Sequence, residues 1–165
     1  EGKQLFYQDA SGKKIRIHRI YNRIIFDDLQ QQTEEIQEKG KIMLEELIKP
    51  DYLISETVDY LKQYSSQVPM YIVSGSDQTE LRFLCEKLGL ASCFKGIYGS
   101  PTPKIKLVET ILNENPTIIP QSSCLIGDSH NDFEAAQTNG LDFLGYNNEE
   151  LQTISKYYIT SFKSC

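Results

Sequence analysis

Four short stretches place chemically capable side chains directly after apolar runs. In Cys124–Leu125–Ile126–Gly127 the run ends in Asp128, and Asp132 follows four residues later. In Tyr71–Ile72–Val73 it ends in Ser74, Gly75 and Ser76. Ile97–Tyr98–Gly99–Ser100 leads into Pro101–Thr102–Pro103–Lys104, and Ile24–Ile25–Phe26 leads into Asp27. Carboxylate oxygens suit Mg²⁺, which takes one or two carboxylates and completes its shell with water and phosphate oxygens. Ser74, Gly75 and the free N–H groups of a following helix start suit a phosphate. Lys104 can neutralise a phosphate as a point charge. Each residue also has a plain reading. Asp128 and Asp132 can be acids favoured by a helix N-terminus, Ser74 a cap, and Lys104 a solvated lysine. His130 reads as an exposed helix-start residue and His18 as a strand surface residue.

The surrounding pattern supplies the elements that would position these groups. Residues 1–28 hold six Lys/Arg and four acids, a net of +2, and the remainder carries −8. Residues 4–20 read as a β-hairpin, with its turn at Asp9–Gly12 and period-two alternation at Ile15 and Ile17. We treat 1–28 as a basic hairpin segment and 29–165 as the core. From residue 30 helices and strands alternate. A helix over 30–49 is stopped by Pro50, and Ser55 is expected to cap the next. Asp77 caps another, with Glu80 completing a capping box. Its apolar residues Leu81, Leu84, Cys85 and Leu88 are spaced i, i+3, i+4, i+7, and Gly89 ends it. Pro103 opens a helix with Ile105, Val108, Ile111 and Leu112 inward. Residues 130–139 form a helix closed by Gly140, and late strands fall near 142–147 and 156–162. This repetition predicts an α/β fold with a mainly parallel, doubly wound sheet covered on both faces. In such sheets ligands bind outside the carboxyl ends of the strands, where all four stretches end.

The bulk properties are compatible. The chain has 165 residues, with 39% hydrophobic and 24% charged residues, enough for a folded domain. Its net charge of −6 argues against nucleic acid or an anionic membrane as the main partner, and there is no apolar run long enough to span a bilayer. It begins at Glu1 rather than Met, which leaves room for natural residues upstream. The cysteines Cys85, Cys93, Cys124 and Cys165 form no CxxC pair. They read as reduced thiols, Cys85 on a helix's apolar face and Cys124 in a buried strand, which points to the cytoplasm. Oligomeric state is left open.

Three of the four stretches, in order, resemble the haloacid dehalogenase (HAD) superfamily of phosphotransferases and phosphatases. The resemblance covers roughly residues 42–146. "YIVSGS" resembles the second motif, whose phosphate-binding hydroxyl is Ser74. "GSPTPKIKLVE" resembles the third, whose lysine is Lys104. "LIGDSHNDFEAAQTNG" resembles the fourth, GDxxxD, at Gly127, Asp128 and Asp132. The resemblance implies a Rossmann-like core, Mg²⁺ as cofactor, a small phosphorylated substrate, and hydrolysis through an aspartyl-phosphate. It further implies a first motif of DxD form after an apolar strand. Asp27 stands in that place as nucleophile and metal ligand, but Leu29 occupies the second Asp position. Asp28 is no substitute, because on an extended backbone it points to the opposite side. Either Asp27 is a degenerate first motif, or residues 1–28 are unrelated sequence joined to a truncated core. The alternatives are therefore a phosphate- or metal-binding module without turnover, and an ATP-grasp-like nucleotide-binding segment at the N-terminus. In this family a cap selects the substrate. The 47 positions from Asp27 to Ser74 leave room for a small helical one.

Overall fold

The computed structural model of the protein describes residues 6–8, 14–16, 34, 42 and 44–164. The candidate nucleophile Asp27, its neighbours Asp28 and Leu29, His18 and Cys165 lie outside the described residues. So does most of the expected helix over 30–49, of which residues 44–47 are described as helical before the turn Pro50–Tyr52.

Strands β1 (Phe6–Gln8) and β2 (Lys14–Arg16) pair antiparallel, with Gln8 opposite Lys14, as the hairpin pattern predicts. Helix α1 spans Ser55–Tyr64. Then follow β3 (Tyr71–Asp77), α2 (Gln78–Lys87), β4 (Gly96–Ser100), α3 (Lys104–Glu114), β5 (Cys124–Gly127), α4 (His130–Thr138), β6 (Asp142–Tyr146) and β7 (Tyr157–Ile159). Every pairing from β3 onward is parallel: β3 with β4, and β5 with β6 with β7. The described residues thus form an α/β fold with two parallel sheets.

One apolar cluster ties the two sheets together. Val108 of α3, Leu125 of β5, Ala135 and Ala136 of α4, Phe143 of β6 and Leu151 are buried in it, and Val73 of β3 packs against it. Of the residues expected inward on α3, Val108 and Ile111 are buried and Ile105 and Leu112 are half-buried against the cluster, while Leu107, which was not expected inward, is buried as well.

The helix ends follow from local chemistry. Gly89 and Gly140 adopt φ of 70° and 72°, where a glycine has no Cβ to clash. Beyond α2 the N–H of Gly89 donates to Glu86 O and that of Leu90 to Cys85 O. Beyond α4 the N–H of Gly140 donates to Gln137 O and that of Leu141 to Ala136 O. Both are Schellman closures that satisfy the last carbonyls.

Three local expectations need correction. Ser55 is the first residue of α1, and the N-cap is Ile54, which offers no side-chain acceptor. Asp77 does accept from Glu80 N at 2.9 Å, but Glu80 makes no return bond and its side chain is buried instead. Cys124 lies in the predicted strand but is exposed. The pleat sends Leu125 into the core and leaves Cys124 and Ile126 on the other face. Cys85 and Cys93 are buried free thiols.

Candidate active site

Strand β5 ends at Gly127, and the reason for glycine is steric. A Cβ at this position would overlap the Cβ and Cγ of Asp132. Its absence lets the first turn of α4 fold back over the strand end. Ser129 is the N-cap of α4, and with Asp132 it forms a reciprocal capping box. Ser129 Oγ accepts from Asp132 N at 3.3 Å and donates to Asp132 Oδ2 at 2.6 Å, and Ser129 N donates to the same oxygen at 3.2 Å.

The other oxygen of Asp132 is equally committed. Lys104, the first residue of α3, donates from Nζ to Asp132 Oδ1 at 2.5 Å. Their side chains are 22% and 6% exposed. The bond spans 28 residues of sequence and links the helix after β4 to the helix after β5. Beside it, Asp128 is exposed. Among the described residues its carboxylate has no hydrogen-bond or ion-pair partner, while its backbone carbonyl accepts from Asn148 Nδ2 at 2.7 Å.

The second predicted stretch lies in the carboxyl half of β3, where the pairing with β4 turns irregular after Val73. Ser74 Oγ accepts from Ser76 N at 3.1 Å, which leaves its own proton free to donate outward. Among the described residues no atom lies within 4 Å of where a Cβ on Gly75 would stand. The β3 and β4 ends are locked to each other. Gly99 N donates to Gln78 Oε1 at 3.3 Å, and a Cβ on Gly99 would come within 2.5–2.8 Å of Ser76 O and the Gln78 backbone. Asp128 thus directly follows β5, Lys104 opens the helix after β4, and Ser74–Ser76 occupies the irregular carboxyl half of β3. A separate concavity lined by Tyr71, Lys95, Tyr98 and Glu114 opens where β3 and β4 begin, away from these residues.

Two site features were not read from the sequence. One is Asn148, whose only advance signal was an Asn just past a strand end. The other is the burial of Glu80, expected only as a capping-box partner of Asp77: it is 5% exposed, and its carboxyl is raised above its ordinary value by burial and then by the charge of Asp77.

The donors fit a lightly held Mg²⁺. Among the described residues no group of three or more His, Cys, Asp or Glu converges on one point. Asp132 is taken by Lys104 and Ser129, so Asp128 is the available carboxylate, and an ion that keeps most of its water and binds phosphate oxygens needs few protein ligands.

The model of the haloacid dehalogenase-like hydrolases matches residues 9–146, most of the chain. The chain belongs to that family. Solved structures agree on the fold. A haloacid dehalogenase-like hydrolase of Streptococcus pneumoniae superposes with a TM-score of 0.59 at 23% identity, over 65% of this chain and 55% of that one. The magnesium-bound HAD-hydrolase YfnB of Bacillus subtilis does so with 0.59 at 23% identity, over 68% and 52%. A predicted phosphoglycolate phosphatase of Haemophilus somnus reaches 0.63 at 18% identity, over 79% and 65%. The chain thus spans between half and two thirds of the length of these relatives. No curated protein is significantly similar in sequence. No described helix is long and apolar enough to cross a membrane.

Proposed function

We propose that this HAD-like hydrolase is a Mg²⁺-dependent phosphomonoesterase acting on a small phosphorylated metabolite. The observation that carries the reading is the Lys104–Asp132 pair beside Asp128, whose carboxylate has no partner among the described residues, just after β5. Asp128 would hold the Mg²⁺, with Asp132 in support. When bound, that ion would supply charge neutralisation of the phosphoryl oxygens. The bond to Asp132 aims the Lys104 side chain, so that Nζ could meet a second phosphoryl oxygen. The free proton of Ser74 would donate to a third, and no described residue crowds the space beside Gly75. The attacking carboxylate would be Asp27, whose oxygen would bond to phosphorus as the ester P–O bond breaks and the alcohol leaves; water would then cleave the acyl phosphate to inorganic phosphate and the free carboxylate.

Leu29 favours a second reading, a phosphate- and metal-binding module with little turnover, because the general acid expected two residues after Asp27 is missing. General acid–base help is typically worth about 10²–10⁴-fold. An aryl phosphate, whose leaving group needs little protonation, should therefore be hydrolysed detectably in Mg²⁺. A sugar phosphate should react far more slowly. Leu29→Asp should raise the sugar phosphate rate more than the aryl rate. No aryl phosphatase activity in the parent, and none restored by Leu29→Asp, would leave the second reading standing. Vigorous parent activity on sugar phosphates would show that another carboxylate attacks.

A further inference from the structure

We infer that Asn148 is a positioning residue for the Asp128 carboxylate, acting by pinning the Asp128–Ser129 peptide plane from the side opposite Asp132. The inference rests on the proposed metal-binding role of Asp128. Both ends of that single peptide are held. Its carbonyl oxygen accepts from Asn148 Nδ2 at 2.7 Å, and its N–H donates to Asp132 Oδ2 at 3.2 Å. Rotation of the plane would break both bonds, so the direction in which Asp128 leaves the backbone is set by the two together.

Asn148 is itself anchored. Its Oδ1 accepts from Glu150 N at 3.2 Å and caps the short 3-10 turn Glu149–Leu151. Leu151, at the end of that turn, is fully buried in the cluster with Leu125 and Phe143. The residue before, Asn147, takes a φ of 46° and donates its N–H to Ile159 O of β7 at 3.0 Å. Ser155 Oγ closes the segment onto Leu151 O at 2.7 Å. The amide thus uses its oxygen on a loop bolted into the core and its nitrogen on the residue that would hold the metal. Such a bridge transmits the rigidity of the core to a group on the surface. Partners of this kind, one step removed from a metal, are worth about 10–100-fold in metal affinity.

The two halves of the amide can be separated. Asn148→Ser keeps a good capping oxygen for Glu150 N, stays neutral, and is too short to reach Asp128. We expect calorimetric titration with Mg²⁺ to show about tenfold weaker binding in Asn148→Ser than in the parent, with a thermal midpoint close to the parent's. Without metal, amide hydrogen exchange should speed up at Ser129 while Leu151 and Ser155 stay protected. A general loosening of the loop would instead raise exchange at all three. Unchanged Mg²⁺ affinity in Asn148→Ser, in a parent whose binding is abolished by Asp128→Asn, would overturn the inference and leave the metal reading intact. So would exchange that rises along the whole loop. Absence of Mg²⁺ binding in the parent would overturn the metal reading and the inference with it.

Discussion

Asp132 shows how one buried carboxylate can be engaged on both oxygens by donors of its own chain. Its oxygens serve Lys104 on one side and the Ser129 cap on the other. Removing the cation should therefore do more than delete a phosphate contact. Lys104→Met would leave the carboxylate at 6% exposure without a counter-charge. Breaking a buried pair from one side typically destabilises by about 3–5 kcal/mol. Because the Lys104 side chain keeps 22% exposure, a loss of about 2–3 kcal/mol is expected, read as a lower urea midpoint at unchanged slope. The double variant Lys104→Met/Asp132→Asn should regain part of that loss, since no uncompensated charge remains. Additive losses in the double variant would show that the two groups do not interact. For the metal, Asp128→Asn should weaken Mg²⁺ binding by at least about tenfold, while Asp142→Asn, which only removes an exposed pairing with Lys156, should not. Calorimetry distinguishes these cases.

At the scale of elements, the site depends on how tightly strand ends meet the turns that follow. Gly99 in β4 lies against the backbone of Ser76 and Gln78, and backbone cannot swing aside as a flexible side chain can. Gly99→Ala should force β4 away from the Ser74–Ser76 turn and cost about 1–3 kcal/mol, the usual range for overpacking. Gly75→Ala is the matched control. No atom of the described residues lies within 4 Å of the added methyl, so stability should change by no more than about 0.5 kcal/mol. Chemical denaturation of the two variants tests the contrast, and equal losses would place the constraint elsewhere. The helices add their own punctuation. The Schellman closures at Gly89 and Gly140 each end a helix where the next strand or turn must begin.

For the whole molecule, the clearest electrostatic signature is a stability that declines with rising pH because of Glu80. Burial is the larger cause of its raised carboxyl, and the nearby Asp77 adds to it. The folded chain then keeps this proton to a higher pH than the unfolded chain, whose value stays near the ordinary 4.5. Across the window from 4.5 up to the raised value the folded state binds more protons, so stability falls as pH rises. Below 4.5 both states are protonated and the penalty disappears. Glu80→Gln removes the titration. Its thermal midpoint should exceed the parent's at pH 7–8, and the two should converge as pH is lowered to about 4. A constant difference across pH would mean that Glu80 is not the group responsible.

The order of the described strands and helices from β3 onward, the parallel pairing, the inward Val108 and Ile111 of α3 and the position of Asp128 directly after β5 were legible in the sequence. They depend on local periods and caps that act within a few residues. The family resemblance lay in the same stretches. What the sequence left open was decided by packing over longer separations. Cys124–Leu125–Ile126–Gly127 has no polar alternation, so only the position of the α3–α4 core determined that Leu125 faces inward and Cys124 outward. Glu80 stood where a capping box was expected, and only burial revealed that its carboxyl does not return to the helix start. The pairing of Lys104 with Asp132 across 28 residues, and of Asn148 with Asp128 across 20, requires two elements to arrive side by side. Neither residue's neighbours in sequence encode that meeting, because it is the shared hydrophobic core that brings the strand ends together.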